Sequence, residues 1–215
     1  LLARLYGQVG RANDGLARAR EVVTANPKGA AGYVVVGELQ LQQGQPKAAL
    51  ESFTTAARLQ PDDGNTYLGV GSAYERMGEL DQAVTAYRRA QALSPNAPAA
   101  YNNVAWIYAV QGRNLNEATT LARRAVELSP NTPAILDTLG FVHYRRAEYD
   151  KAEPLLRRAA ELAPSNATIQ YHLRMTLYRL GQADNAANAL RRSLQLDERL
   201  PDAPEIRRVL AELKR

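Results

Sequence analysis

GNTYLGVGSAYERMGELDQAVTAYRRAQALSPNA, residues Gly64–Ala97, is the pattern of two amphipathic helices joined by a tight turn. Tyr67, Val70, Gly71 and Tyr74 mark the first helix, Gly78 the turn, and Ala83, Tyr87, Ala90 and Pro95 the second. Counted from Gly64, Gly71 stands at position 8 and Ala83 at position 20. Small residues there let the two helices approach closely, while Tyr67, Tyr74 and Tyr87 fill the space around the crossing. Ala90, at position 27, leaves room for the first helix of a following unit. Gly78 suits the left-handed backbone that ends a helix, and Pro95 stops the second one. One such hairpin cannot bury its apolar faces alone, whereas a stack of them can.

The unit recurs along the chain. The prolines at position 32 are Pro27, Pro61, Pro95, Pro130 and Pro164, spaced by 34, 34, 35 and 34 residues. Position 8 reads Ala3, Gly37, Gly71, Ala105, Gly140 and Arg174. Position 20 reads Gly15, Ala49, Ala83, Ala118, Ala152 and Ala186, and position 27 reads Val22, Ala56, Ala90, Ala125, Ala159 and Ser193. Over about residues 1–198 this pattern resembles the tetratricopeptide repeat (TPR) family. The resemblance implies an all-α fold, a right-handed superhelix or α-solenoid of helix-turn-helix hairpins, in one domain over 1–215. Residues 1–27 are a truncated repeat. Full repeats are expected at 30–61, 64–95, 98–130, 133–164 and 167–198, and a capping helix at 202–214.

Local signals refine this frame. Gly44 makes the turn of the second repeat, and Pro46 starts the helix after it. The turn Gly112–Asn116 holds one extra residue, which lengthens the loop without shifting the hydrophobic phase. Thr132 can cap a helix and Pro133 can occupy its first position. Ala147 stands where the other turns carry glycine, at a cost of order 1 kcal/mol if its backbone is left-handed. Pro154 falls inside a helix, where it removes one backbone bond and bends the helix slightly. Arg174 at position 8 and Glu198 in place of the closing proline suit a last repeat. Asp202 and Glu205 resemble a capping box ahead of the stripe Ile206, Val209, Leu210 and Leu213.

An apolar content of 46% in 215 residues is ample for a core. No cysteine is present, so there is neither a disulfide framework nor a thiolate metal site. No apolar run approaches a membrane span. The chain begins Leu1-Leu2-Ala3 inside a first helix, as a piece of a longer protein would. A signal peptide or lipid anchor would lie upstream, and membrane contact is expected only through such segments. Leu1, Leu2 and Leu5 then form an apolar edge, open either because the chain is cut there or because copies associate through it.

Net charge is +5 and uneven: residues 1–107 carry +1 and residues 108–215 carry +4. Four arginine pairs, Arg88-Arg89, Arg123-Arg124, Arg157-Arg158 and Arg191-Arg192, fall at positions 25–26 on the outer side of second helices. They read as a solvated face with helical ion pairs, such as Arg123 with Glu127 and Arg157 with Glu161. The alternative is an electrostatic surface for an acidic polymer or a membrane. No surplus aromatics interleave with the pairs, so nucleic acid is not an expected partner.

Catalysis is not expected. There are two histidines, and neither has a metal-ligand spacing. Turns and helix crossings account for the glycines, leaving no phosphate loop. No cofactor, metal or small-molecule substrate is expected. His143, at a position usually aromatic, reads as a packed core residue.

The first helices carry the better signal. The TPR resemblance implies that positions 2, 5, 6, 9, 12 and 13 of these helices line a concave groove that binds a peptide or protein segment. Repeat four then contributes Asn102, Asn103 and Trp106; repeat five Asp137, Thr138, Phe141, Tyr144 and Arg145; repeat six Tyr171, His172, Met175, Tyr178 and Arg179. Position 9 reads Trp106, Phe141 and Met175 in succession, an apolar ladder flanked by Asn102, Asn103, Thr138 and His172. Such anchors with adaptable polar neighbours suit recognition. The structural alternative is that curvature buries position 9 between neighbouring first helices. The expected partner-binding set is Asn102, Asn103, Trp106, Thr138, Phe141, Arg145, Tyr171, His172, Met175 and Arg179. The Lys/Arg and Asn clamp of chaperone-binding members is not reproduced, which disfavours a chaperone tail as partner. The stretches AYNNVAWIYAVQG and ILDTLGFVHYRRAEYDKAEPLLRRAAELAPSNATIQYHL are also similar to the C-terminal repeats of large bacterial envelope TPR proteins. That similarity implies a role in envelope or polysaccharide-export assembly, in the periplasm or on an outer-membrane anchor.

Overall fold

The computed structural model describes residues 11–182 and Arg207. Among these residues are ten helices and no strand. They are α1 (Ala12–Ala25), α2 (Ala30–Gln42), α3 (Pro46–Leu59), α4 (Gly64–Arg76), α5 (Leu80–Leu93), α6 (Pro98–Gln111), α7 (Leu115–Leu128), α8 (Pro133–Arg145), α9 (Tyr149–Leu162) and α10 (Ala167–Arg179). The second helix of repeat six with its Arg191-Arg192 pair, the Leu1, Leu2 and Leu5 edge, and the expected capping helix apart from Arg207 lie outside the described residues.

The chain divides into two compact units, Leu1–Val104 and Ala105–Arg215, with the boundary inside α6. In the first unit each of α1 to α4 packs on the helix that follows, and α2 also touches α4. In the second, each of α7 to α9 packs on its successor, and α8 also touches α10. A first helix thus meets both its own partner and the first helix of the next hairpin. That is how single hairpins, too small to bury their faces, share a core.

The crossings show which side chains fill it. A Cβ added to Gly37 would lie 2.8 Å from the Phe53 ring, one on Gly71 would lie 2.4 Å from the Tyr87 ring, and one on Gly140 would lie 2.6 Å from Leu156. Phe53, Tyr87 and Leu156 all stand at position 24 of the second helix and are at most 1% exposed. Each position-8 glycine is therefore a socket for the large position-24 side chain of its own hairpin. The position-20 residues Ala49, Ala83, Ala118 and Ala152 are fully buried beside them.

Helix ends follow local chemistry. Asp63 precedes α4 and accepts from the backbone N–H of Asn65 and Thr66, at 3.1 and 3.2 Å. Pro46 and Pro133 sit in first turns as expected. Thr132 occupies the N-cap of α8, but its side chain does not cap. Its hydroxyl lies 2.6 Å from Ser129 Oγ, and its carbonyl accepts from Ile135 and Leu136 instead. Gly44, Gly78, Gly112 and Gly181 end helices with φ between 67° and 79°. In repeat four the extra residue follows Gly112 and is absorbed by Asn114, also left-handed at φ 50°. Helix α9 runs through Pro154.

Ala147 adopts the left-handed backbone, with φ 58°. Its N–H reaches Tyr144 O at 2.9 Å, and Glu148 N–H reaches His143 O at 3.0 Å, so the turn matches the glycine turns. Ala147→Gly relieves the Cβ strain and should stabilise the protein by up to about 1 kcal/mol in urea denaturation. A destabilised variant would count against a strained turn.

His143 is 4% exposed, which makes it the core residue expected from its position. Its Nδ1 lies 2.7 Å from Glu148 Oε2. That hydrogen bond is the largest of the influences that hold the Glu148 carboxyl below the usual range. Partial burial opposes it, and the Arg146 and Lys151 charges add to it. A carboxyl lowered in the folded state contributes stability above its unfolded pKa and loses it as pH falls through the folded value. Glu148→Gln should therefore lower the melting temperature at neutral pH and leave it unchanged in acid. A pH-independent loss would contradict the linkage.

The arginine pairs make ion pairs in a register different from the expected one. Arg124, rather than Arg123, donates to Glu127 at 3.1 Å. Arg157 turns back to Glu153 at 2.6 Å rather than forward to Glu161, which lies 3.6 Å from Arg158. A glutamate one turn N-terminal to its arginine is the better-oriented pair on a helix. Arg89 lies 5.7 Å from the Tyr67 ring centroid.

Candidate functional site

The expected partner-binding residues belong to α6, α8 and α10. Asn102 and Asn103 lie on the part of α6 in the first unit and are half-buried. Asn102 Nδ2 donates to Asn103 Oδ1 at 3.4 Å, and Asn102 Oδ1 is buried without a partner. Asn103 also acts on the phenol of Tyr87, lowering its pKa slightly. That phenol donates to Glu75 at 2.7 Å and lies 3.2 Å from Ser72 Oγ. Burial first, and the Glu75 charge second, push its pKa well above the ordinary tyrosine value. Asn103 thus stands beside the polar network of Tyr87 in the preceding repeat.

The remaining expected residues lie in the second unit. The Trp106 and Phe141 rings are 5.3 Å apart at 39°. The ring that α10 lays on Phe141 is His172, at 4.4 Å and 19°, and it is also 6.0 Å from Trp106. Tyr144 also stacks with Phe141, at 6.1 Å. Trp106, Phe141 and Tyr144 are half-buried, so part of each stays accessible. Met175, at position 9 of α10, is only 2% exposed. Tyr171 at 6% and Thr138 at 3% are also enclosed, and the Thr138 hydroxyl is spent on Ala134 O at 2.9 Å. Arg145 is exposed: its Nη1 donates to Val110 O at 3.1 Å and its guanidinium stands 5.8 Å over the Phe141 ring. It fastens the end of α6 to α8. Arg179 is exposed at the end of α10.

Beneath the rings is a feature that repeat counting missed. His172 Nδ1 lies 2.8 and 3.0 Å from the two carboxylate oxygens of Asp137. Both residues are more than nine-tenths buried. Asp137 holds position 5 of repeat five and His172 position 6 of repeat six, so adjacent first helices bring them together. The signal available in sequence was two complementary polar residues on facing stripes, 35 residues apart.

Among the described residues no group of three or more His, Cys, Asp or Glu could hold a metal ion, and no helix is long and apolar enough to cross a membrane. Helical hairpins with this repeat and these crossings define an all-α TPR solenoid, a scaffold fold typical of protein–protein interaction. The chain belongs to the family described as the cilia and flagella-associated protein 70 C-terminal domain, which it matches over residues 2–209. It is similar to the photosystem I assembly protein Ycf3 of Cyanophora paradoxa, with 32% identity over 93 residues that make up 42% of this chain and 54% of that protein. The chain spans about half or less of the length of the curated relatives it matches. A chain of the APC/C hetero-tetramer Cut9-Hcn1 superposes with a TM-score of 0.84 at 21% identity, covering 98% of this chain and 41% of that one. PilF of Pseudomonas aeruginosa superposes at 0.79 with 17% identity, covering 96% and 93%. At these identities the likeness is one of fold.

Proposed function

We propose that this domain is a non-enzymatic scaffold that takes up an extended segment of a partner protein on the aromatic face of α6, α8 and α10. The observation that carries the proposal is the Trp106–Phe141–Tyr144 group, partly exposed, with Phe141 stacked on a buried His172. Rings held in place by their neighbours lose little freedom on binding, and large flat side chains dominate interface energies. The family is named for a protein associated with cilia and flagella, which supports a place in a large assembly. Envelope or polysaccharide-export assembly, implied by the sequence resemblance, is a second setting for the same chemistry.

The test starts from peptides selected on the intact chain from a random display library. Trp106 is the sole tryptophan, so its emission should change on binding. Trp106→Ala and Phe141→Ala should each weaken binding by about tenfold or more in calorimetry, with the helical circular dichroism retained. Folded variants that bind as well as the parent would place recognition elsewhere.

A further inference from the structure

We propose that His172 Nε2 and Trp106 Nε1 together bind the main chain of one extended residue of the partner segment, Nε2 accepting its N–H and Nε1–H donating to its C=O. This rests on the peptide-binding reading above and names the chemistry of its polar contact. A carboxylate can only accept, so the Nδ1 that lies within 3.0 Å of both Asp137 oxygens carries a proton. In the neutral ring the lone pair then sits on Nε2. The ring cannot flip to hide it without giving up the Asp137 contact, and the stack on Phe141 at 4.4 Å holds its plane. Trp106 Nε1–H can only donate. Neither atom has a hydrogen-bond partner among the described residues.

The nearby threonine hydroxyls are already used within the helices. The Thr138 hydroxyl donates to Ala134 O, and the Thr176 hydroxyl to His172 O at 2.8 Å. The two rings thus offer one acceptor and one donor, with their centroids 6.0 Å apart. An extended residue directs its own N–H and C=O to one side, as residues in an antiparallel pair do when they exchange both bonds. Main chain fits this pair of groups independently of side-chain identity. Phe141 and Tyr144 flank it as apolar ground for neighbouring side chains.

A scan of the selected peptide with N-methyl amides tests the assignment. On the parent chain, one N-methyl position should cost about tenfold in affinity. That cost should vanish in the double variant Asp137→Leu/His172→Phe, which keeps a ring on Phe141 and replaces the buried pair with apolar side chains. If Trp106→Ala still weakens binding but no N-methyl cost depends on His172, the inference falls and the peptide-binding reading stands. A nitrogen-15 spectrum showing Nε2 protonated at the working pH overturns the inference as well. If the peptides bind equally to Trp106→Ala and Phe141→Ala, both fall together.

Discussion

Phe53→Ala should lower the free energy of unfolding by about 3–5 kcal/mol, read as a shift of the urea midpoint at unchanged slope. The side chain is 1% exposed and is among the largest that are fully enclosed. A Cβ on either Gly37 or Gly69 would come within 3 Å of its ring, so glycine backbone faces it from both α2 and α4. Glycines have no side chains to move into the space, and the helices are held apart by their other contacts. The vacated volume should therefore stay open, which puts the cost at the upper end for such truncations. Phe53→Leu should recover part of it by refilling volume. A loss below about 1 kcal/mol for the alanine variant would show that the crossing collapses freely.

The second large effect concerns the buried pair. His172→Phe preserves the stacking volume but leaves the Asp137 carboxylate, itself 6% exposed, without its imidazole. Removing the donor from a buried carboxylate costs about 3 kcal/mol, because the remaining group is neither hydrated nor compensated. Adding Asp137→Leu removes the stranded carboxylate, so the double variant should regain most of the lost stability. Equilibrium denaturation of the parent, both single variants and the double variant gives the coupling directly. Strictly additive losses would mean that the 2.8 Å contact contributes nothing to the fold.

The fold was legible because its determinants are periodic. Prolines at one repeat position and small residues at three others place both helices of each hairpin, and the structure puts helix ends close to those places. Ala147 illustrates how far position alone reaches: occupying the glycine site predicts its left-handed backbone. The contents of the crossing were less legible. Small residues at positions 8 and 20 announce a close approach, but not that Phe53, Tyr87 and Leu156 from position 24 occupy the glycine sockets. The same limit applied to the site. Repeat position brought Trp106 and Phe141 into one row, whereas the ring on Phe141 came from His172 rather than from position 9. Periodicity specifies a face. Rotamers, ion-pair register and a contact between residues 35 apart depend on geometry that no single repeat contains.

The position-24 side chains belong to two repeats at once. Phe53 meets Gly37 of its own hairpin and Gly69 of the next, and Tyr87 contacts Gly71 of its own hairpin while Asn103 of the next acts on its phenol. In the nearest-neighbour description of repeat arrays, intrinsic and interface energies are separate parameters. Here one side chain contributes to both. A hairpin that melts takes with it part of its neighbour's reason to stay folded, so fraying from a chain end cannot proceed one unit at a time at small cost. The length over which such a chain unfolds cooperatively is thereby set by the size of a single residue per repeat.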